Sequence, residues 1–364
     1  MIRIATIGTS LITDNLVEAL NASERGEFVG TCSRDAERAW AFTQERGGAK
    51  PFTSIDEVAA DPDVDAVYIG SPNALHAPQA LALIAAGKHV MVEKSFASNE
   101  REAREVFAAA EAANVVVMEA MRPLHDPAYY QFKEALGRIG RIRRLTIRFG
   151  KYSSRYDDIL AGRHTNIFDC QMASGGLMDM GVYSVEPLVD IMGAPERVLF
   201  APVLLDEGTR ELTNGAIDGA GIISCTYPGA AASLHYSKFT QDYASTQVEG
   251  ERGTVTLDHI STPDHMRIDL LGKAVRGDAK NSKGTAAAST EEIDLPTTSN
   301  SMAYELADFI SAVESARAGT PALEAPCGEH GDVAHFRDLT LATMAVMDEA
   351  RRQAGIVFPA DRQA

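Results

Sequence analysis

The N-terminal third of the chain alternates between short apolar runs and helical patterns, and that alternation narrows the fold more than any other feature. Arg3–Ile7, Phe28–Thr31, Ala66–Ile69, Val90–Val92 and Val115–Met118 read as strands. Leu11–Leu20, Ala36–Glu45, Ala80–Ala86 (with Gly87 as the stop) and Glu100–Ala113 read as helices around them. Strands separated by helices require right-handed crossovers and a parallel sheet covered on both faces. The residues that follow the strands are Gly8-Thr9-Ser10, Ser33-Arg34, Ser71-Pro72-Asn73, Glu93-Lys94 and Glu119. They are polar, glycine or punctuating residues at the carboxyl ends of strands, where doubly wound sheets bind ligands.

Two of these strand ends carry specific chemistry. Gly8-Thr9-Ser10-Leu11-Ile12-Thr13 is a modified form of the dinucleotide fingerprint G-x-G-x-x-G. Gly8 allows the tight turn, and the free N–H groups that open the Leu11 helix can receive a pyrophosphate. Ser10 and Thr13 replace the second and third glycines, which is expected to hinder close backbone approach. The run His89-Val-Met-Val-Glu93-Lys94 ends a buried strand in a lysine, a residue seldom buried unless paired. A surface ion pair would explain Glu93-Lys94 in isolation; in register with the other strand ends, it marks a ligand site.

The chain resembles the Gfo/Idh/MocA family of nicotinamide-dependent sugar and polyol dehydrogenases. The resemblance rests on Ile7-Gly8-Thr9-Ser10, on Ser71-Pro72-Asn73-Ala74-Leu75-His76 and on Ala85-Ala86-Gly87-Lys88-His89-Val90-Met91-Val92-Glu93-Lys94. It continues through Glu119-Ala120-Met121-Arg122 with His125-Asp126-Pro127, and through Gly175-Gly176-Leu177-Met178-Asp179-Met180-Gly181-Val182-Tyr183. The resemblance implies an α/β Rossmann domain over residues 1–122. It implies a substrate-binding and oligomerisation α+β domain over 123–364, with an open, mainly antiparallel sheet and last helices able to pack back on the first domain. It also implies cofactor contacts from Gly8, Thr9, Ser10, Leu11, Ile12, Ser71, Pro72, Asn73, His76, Glu93, Lys94 and Arg122. Helix capping is the competing role for His76. Where the family carries Glu-Lys-Pro this chain has Glu93-Lys94-Ser95, and loss of the proline is expected to free the backbone there.

Composition agrees. A chain of 364 residues suits two domains. Its 34 Lys and Arg against 51 Asp and Glu give a net charge of −17, which argues against nucleic acid or an anionic membrane as general partner. Met1-Ile-Arg-Ile enters the first strand directly, and no apolar run approaches the roughly 20 residues that span a bilayer. Cys32, Cys170, Cys225 and Cys327 are scattered without metal-ligand spacing, so a reduced cytoplasm is the expected setting.

After Pro123 the alternation stops. Leu145–Gly150, Val198–Leu205, Ile222–Tyr227 and Ala232–Phe239 read as antiparallel strands, the last two joined by Pro228-Gly229. Gly250-Glu-Arg-Gly253 turns a hairpin between Gln247–Glu249 and Thr254–Leu257; Lys273–Ser289 reads as a mobile loop, and Met302–Ala316 and His335–Arg352 as closing helices. The helix opened by Gly175-Gly176 is apolar around most of its circumference. Asp179, Tyr183, Glu186 and Asp190 form one polar stripe along it, and Pro187 is expected to bend or loosen it. A solvated face is the plain alternative. The family resemblance assigns Asp179-x-Gly181-x-Tyr183 to the substrate pocket and leaves Glu186 and Asp190 structural. The polar segment Lys151–Asp158, with Asn166 beyond it, suits either a polyol or an ordinary surface loop. His125 fits packing or catalysis equally, while His164, Asp169 and Cys170 lack a metal-ligand arrangement.

The implied reaction moves a hydride between nicotinamide and a secondary carbinol, which requires a proton acceptor and donors that hold one oxygen. Lys94 and Tyr183 share the proton relay, Asp179 orients the substrate, and no metal is required. Burial and the cofactor's positive ring would lower the Lys94 pKa, with Glu93 opposing. The rivals are an NAD-dependent glycosidase of the same fold and a non-catalytic nucleotide or sugar sensor. Ser33, Arg34 and Arg38 at the second strand's end favour NADP, since arginine suits a 2′-phosphate; NAD stays open because Asp35 could serve a ribose. Apolar or small residues on both faces of the C-terminal strands imply a homodimer or homotetramer.

Overall fold

The computed structural model describes residues 1–272 and 287–362. In chain order the first part contains β1 (Ile2–Ile7), α1 (Leu11–Ala22), β2 (Gly26–Cys32), α2 (Ala36–Glu45), α3 (Ile55–Ala60), β3 (Ala66–Ile69), α4 (His76–Ala85), β4 (His89–Glu93), α5 (Glu100–Ala113) and β5 (Val117–Ala120). The strands form a parallel sheet in the order β2-β1-β3-β4-β5. Every residue of β3 and of β5 is buried, as helices on both faces require. Ser10, Asp35, Ser54 and Asn99 each accept a backbone N–H three residues on and so start α1, α2, α3 and α5. Each such cap contributes about 1 kcal/mol. The fourth helix starts at His76, a turn earlier than its apolar pattern suggests, because Pro78 is tolerated in a first turn. From β1 the chain winds to β2 on one side and to β3, β4 and β5 on the other, which opens a crevice at the carboxyl ends of β1 and β3.

The second part contains α6 (Pro127–Leu136), β6 (Ile142–Gly150), α7 (Ser154–Leu160), α8 (Val182–Met192), β7 (Arg197–Leu204), β8 (Asp218–Tyr227), β9 (Ala230–Ser237), β10 (Thr246–Gly250), β11 (Gly253–Leu257), β12 (His265–Leu271) and β13 (Ala287–Asp294). Its sheet runs β13-β12-β11-β10-β6-β9-β8-β7; β6 and β9 are parallel and all other neighbours antiparallel. Along β9, Ala232, Leu234 and Tyr236 are buried beneath α8, whereas Ser233 and His235 lie on the other face. Most of the segment expected as a loop over Lys273–Ser289 lies outside the described residues. Its end, Ala287–Ser289, instead belongs to β13, drawn into the sheet by pairing with β12.

The closing helices α9 (Met302–Arg317) and α10 (Val333–Ala354) return to the first sheet. Arg317 pairs with Asp65 at 2.5 Å, Thr340 donates to Glu119 Oε2 at 2.8 Å, and Asp348 accepts the Glu100 N–H at 2.8 Å. These contacts fasten α9 and α10 to the parallel sheet and its helices. The site lies at the carboxyl ends of the parallel strands, where they face the second part of the chain.

Candidate active site

A cleft of about 990 Å³ runs along the carboxyl ends of the parallel strands. Its floor is formed by Gly8, Thr9, Ser10 and Ile12 after β1, Ser33, Arg34 and Arg38 after β2, Ser71, Pro72 and Asn73 after β3, and Glu93 and Lys94 at β4. The opposite wall comes from Arg155 and Asp158 of α7, His164, Asn166 and Asp179.

Gly8 adopts φ +104°, and a Cβ there would stand 2.8 Å from Gly70 O. A Cβ on Gly70 would in turn stand 2.7 Å from Thr13 Oγ1. The closeness that the fingerprint's third glycine normally permits is therefore supplied by Gly70 across the sheet, and Thr13 is accommodated fully buried. Ser10 caps α1 through its side chain. The N–H groups at the start of α1 have no preceding turn to bond to. This cradle fits a pyrophosphate.

At the far end Asp35 caps α2, accepting the Arg38 N–H at 3.1 Å, and does not line the cleft. Arg34 and Arg38 are exposed and line it, and neither guanidinium has an ion-pair partner among the described residues. The acidic side chain that could have served a ribose is thus engaged elsewhere.

The chemical end is buried. Lys94 Nζ lies 2.7 Å from Asp179 Oδ1 and 3.1 Å from the Asp179 carbonyl oxygen. It sits 5.2 Å from the centre of the Tyr183 ring, which leans on Phe149. Lys238 Nζ contacts the other carboxylate oxygen, Asp179 Oδ2. Burial acts to lower the Lys94 pKa, but Asp179, Tyr183 and Glu93 outweigh it and hold the ammonium above its ordinary range. The lowering anticipated from burial is reversed by this ion pair. Burial also pushes Asp179 up, yet Lys94 and Lys238 together hold it well below the usual carboxylate range. The Tyr183 hydroxyl is raised by burial, against the pull of Lys94 and Arg122. Behind the lysine, Tyr68 donates to Glu93 Oε1 at 2.6 Å, and burial raises the Glu93 carboxyl.

Asp179 is presented by a wide, π-helical turn over Leu177–Gly181, not by a regular α-helix. The departure from α geometry falls before Pro187, which α8 accommodates. Just before the wide turn, Gly175-Gly176 dock on β8: a Cβ on Gly176 would stand 2.7 Å from Gly219 C, and Asp218 Oδ2 accepts the Leu177 N–H at 2.6 Å. The polar stripe is only partly matched by polar partners, since the buried Glu186 Oε2 has none among the described residues. Asp190 receives hydrogen bonds from Tyr129 at 2.7 Å and Lys133 at 2.9 Å. Glu186 is buried with its carboxyl raised by burial and by Glu119.

Of the other residues singled out in the sequence, His76, Arg122 and His125 do not line the cleft. Leu11 is 76% exposed and its side chain does not line the cleft, but its backbone N–H belongs to the first turn of α1. His76 is fully buried, its ring held between Ser71 O at 2.8 Å and Ser95 O at 3.0 Å, with burial pushing its pKa down to about 4. It ties two strand-end loops together. Arg122 is half-buried, with its guanidinium interacting with Tyr183. His125 bonds Asp308 at 2.7 Å and stacks on Phe336. Ser95 is not released by the absence of proline, since its hydroxyl donates to Met178 O at 2.6 Å. His164 donates through Nε2 to Asp169 Oδ2 at 2.8 Å, and no group of His, Cys, Asp and Glu suited to a metal occurs among the described residues.

Sequence reading missed Lys238. It did carry a signal: continuing the buried parity of Ala232, Leu234 and Tyr236, position 238 is a lysine on the core side of a strand. Thr53, Ser54 and Gln79 also line the cleft, and no motif marks them.

A dinucleotide cradle on a parallel sheet, opening onto a buried lysine, carboxylate and tyrosine, defines an oxidoreductase architecture. Residues 2–121 match the family described as "Oxidoreductase family, NAD-binding Rossmann fold", and residues 134–256 match the "GFO/IDH/MocA C-terminal domain". The chain belongs to the Gfo/Idh/MocA family. It is 36% identical over 362 residues, covering 100% of both chains, to scyllo-inositol 2-dehydrogenase (NADP(+)) of Bacillus subtilis. It is 31% identical to 1,5-anhydro-D-fructose reductase of Ensifer adhaerens, covering 72% of this chain and 77% of that protein. A solved 3-ketoreductase from Actinomadura kijaniata, in complex with NADP and TDP-benzene, superposes with a TM-score of 0.77 over 97% of each chain at 24% identity, a likeness of fold.

Proposed function

We propose that this oxidoreductase interconverts a secondary hydroxyl and the corresponding ketone on a sugar, polyol or related diol, using NADP. The observation that carries this reading is the convergence of Lys94, Asp179 and Tyr183 at the end of a cleft whose other end holds a dinucleotide cradle. Gly8, Thr9, Ser10 and Ile12 would hold the pyrophosphate, and Ser33, Arg34 and Arg38 a 2′-phosphate. Once bound, the nicotinamide supplies the hydride donor or acceptor. Lys94 and Tyr183 hold protons at neutral pH and donate to one substrate oxygen; in the oxidative direction the same pair takes the hydroxyl proton. Asp179 orients Lys94 and accepts a hydrogen bond from a neighbouring hydroxyl, while Asn166 offers both donor and acceptor to the substrate. The names of the relatives, an inositol dehydrogenase using NADP(+) and a sugar reductase, support the same substrate class and cofactor.

The proposed division is a cofactor domain over 1–122 and a substrate domain over 123–364, with α9 and α10 lying against the former. Cytoplasmic residence is supported by four buried, unbridged cysteines, and no helix among the described residues is long and apolar enough to cross a membrane. Homo-oligomerisation through the uncovered sheet face is supported by Leu199, Val203 and Ile222, which lie exposed on that face of β7 and β8. A monomer by light scattering at micromolar concentration sinks that part.

Screening cyclic polyols and sugars with NADP and with NAD, by absorbance of the reduced nicotinamide, tests the reaction. Turnover of at least one polyol or sugar with NADP preferred is expected. Release of aryl alcohol from glycosides, or binding without turnover across the panel, overturns it in favour of the glycosidase or the sensor.

A further inference from the structure

Lys238 follows β9 directly, and its backbone is fastened on both sides. Its N–H donates to Gly219 O at 2.7 Å, and its carbonyl accepts the Ser153 N–H at 2.9 Å. The side chain is 3% exposed, and its ammonium lies 5.9 Å from the centre of the Phe168 ring. Asp179 is therefore gripped at both oxygens, Oδ1 by a lysine from the parallel sheet and Oδ2 by a lysine from the antiparallel one. The carboxylate spans the two sheets. Charge counting shows a second consequence: Asp179 and Lys94 alone cancel, whereas Lys238 leaves the trio with one net positive charge where a substrate oxygen would become negative. A fixed cation in a dry site acts on developing charge far more strongly than one in water.

We propose that Lys238 is a positioning residue for the reaction inferred above: it holds Asp179, and through it Lys94, in register with the substrate oxygen, and it restores the positive charge that Asp179 would otherwise neutralise. This rests on the oxidoreductase reading. The charged and titratable groups around the trio are Glu93 beside Lys94, Tyr183 one turn along the helix with Arg122 interacting with it, Asp218 on β8, and Asp158 and His164 across the cleft. Burial drives the Asp179 carboxyl upward and the two lysines hold it down. Removing Lys238 leaves burial opposed by one cation. The Asp179 pKa then rises, and loss of its ionised form begins at a higher pH.

The test compares the parent with Lys238→Met and Lys238→Arg. Four readouts are needed: NADPH binding by fluorescence, thermal midpoint, kcat/KM against pH, and the titration of the Asp179 carboxyl by carbon NMR of labelled aspartate, assigned with Asp179→Asn. Lys238→Met is expected to bind NADPH within about threefold of the parent while losing ~10–100-fold in kcat/KM, somewhat less than deletion of a direct oxyanion donor. The acid limb of its profile and the Asp179 titration should both move upward, and Lys238→Arg should recover most of the loss. A parent-like acid limb and Asp179 titration in Lys238→Met overturn the proposal, even if activity falls, because a merely structural lysine moves stability and not that carboxyl. If the parent turns over no polyol or sugar, the functional reading fails, and the NMR titration alone still decides the role of Lys238.

Discussion

At one end of the cleft Arg34 and Arg38 stand exposed without an ion-pair partner among the described residues, while at the other Lys94 and Lys238 lie buried on the two oxygens of one carboxylate. The exposed arginines give up little hydration while they wait, and their attraction for a phosphate is screened by salt. The buried lysines have each given up water at a cost of several kcal/mol, which only close pairing offsets. One end is therefore left to be completed by its ligand, and the other is completed in advance. Substitutions should divide accordingly: at the buried end they act on rate and stability, at the open end on which nicotinamide is chosen.

The largest effect is expected for Lys94→Ala. Loss of a proton-transfer residue removes ~10²–10⁴-fold of rate, while the cradle around Gly8 and the arginines is untouched. Steady-state turnover should collapse with NADPH affinity nearly unchanged by fluorescence titration. Turnover within threefold of the parent would break the division at its strongest point.

Glu119 sharpens the same contrast from behind the site. It is buried, accepts the Phe96 N–H at 2.9 Å and the Thr340 hydroxyl at 2.8 Å, and its carboxyl is pushed up to about 7 by burial, which those two bonds only partly oppose. An acid raised in the fold binds more protons folded than unfolded between its ordinary pKa near 4.5 and about 7. Its contribution is thus fully present below 4.5 and is lost as pH rises through 7. Glu119→Gln cannot ionise, so the stability gap between parent and variant should narrow by on the order of a few kcal/mol between pH 5 and 8. Urea midpoints at four pH values check this. A gap that is constant with pH means Glu119 does not titrate in that window.

How far these two ends could be read from the sequence follows from the range of the forces that build them. The parallel strands and their helices were legible because each declares itself locally, by an apolar run, a cap or a glycine, and Ala36–Glu45 and Glu100–Ala113 are observed to the residue. The strand-end position of Lys94 was legible for the same reason. Its charge state was not, because the partner that raises it, Asp179, arrives 85 residues later from the π-helical turn before α8. Lys238 was overlooked because strand parity gives a side, not a partner. The modified fingerprint looked obstructed at Thr13, and its relief comes from Gly70 on a neighbouring strand. The π-helical turn at Leu177–Gly181 likewise begins on a bond to a carboxylate from β8, beyond the reach of any local pattern.

At the open end Arg34→Ala should weaken NADP without touching NAD. A charged hydrogen bond of about 1.5–3 kcal/mol corresponds to ~10–100-fold in kcat/KM, and solvent exposure places Arg34 at the lower end. The loss should shrink as salt is raised, because the parent's own advantage is screened. Measuring both cofactors at two ionic strengths tests it, and equal loss with NADP and NAD removes Arg34 from phosphate recognition.

The smallest expected effect separates helix capping from cofactor choice at Asp35. Its carboxylate accepts the Arg38 N–H at 3.1 Å and so starts α2. Asparagine caps about as well as aspartate, whereas alanine at an N-cap costs about 1 kcal/mol. Asp35→Asn should therefore leave stability within a few tenths of a kcal/mol, and Asp35→Ala should lower it by about 1 kcal/mol. Neither should alter the ratio of NADP to NAD efficiency by more than the small gain that removing a negative charge near the 2′-phosphate gives. A ribose ligand would behave otherwise: Asn and Ala would both depress use of NAD sharply, and the loss would not follow capping strength. Denaturant midpoints and paired cofactor kinetics on the two variants distinguish these outcomes. Selective loss of NAD would mean that Asp35 turns from the helix toward the nucleotide when it binds, and that the open end is built for a different cofactor than its arginines indicate.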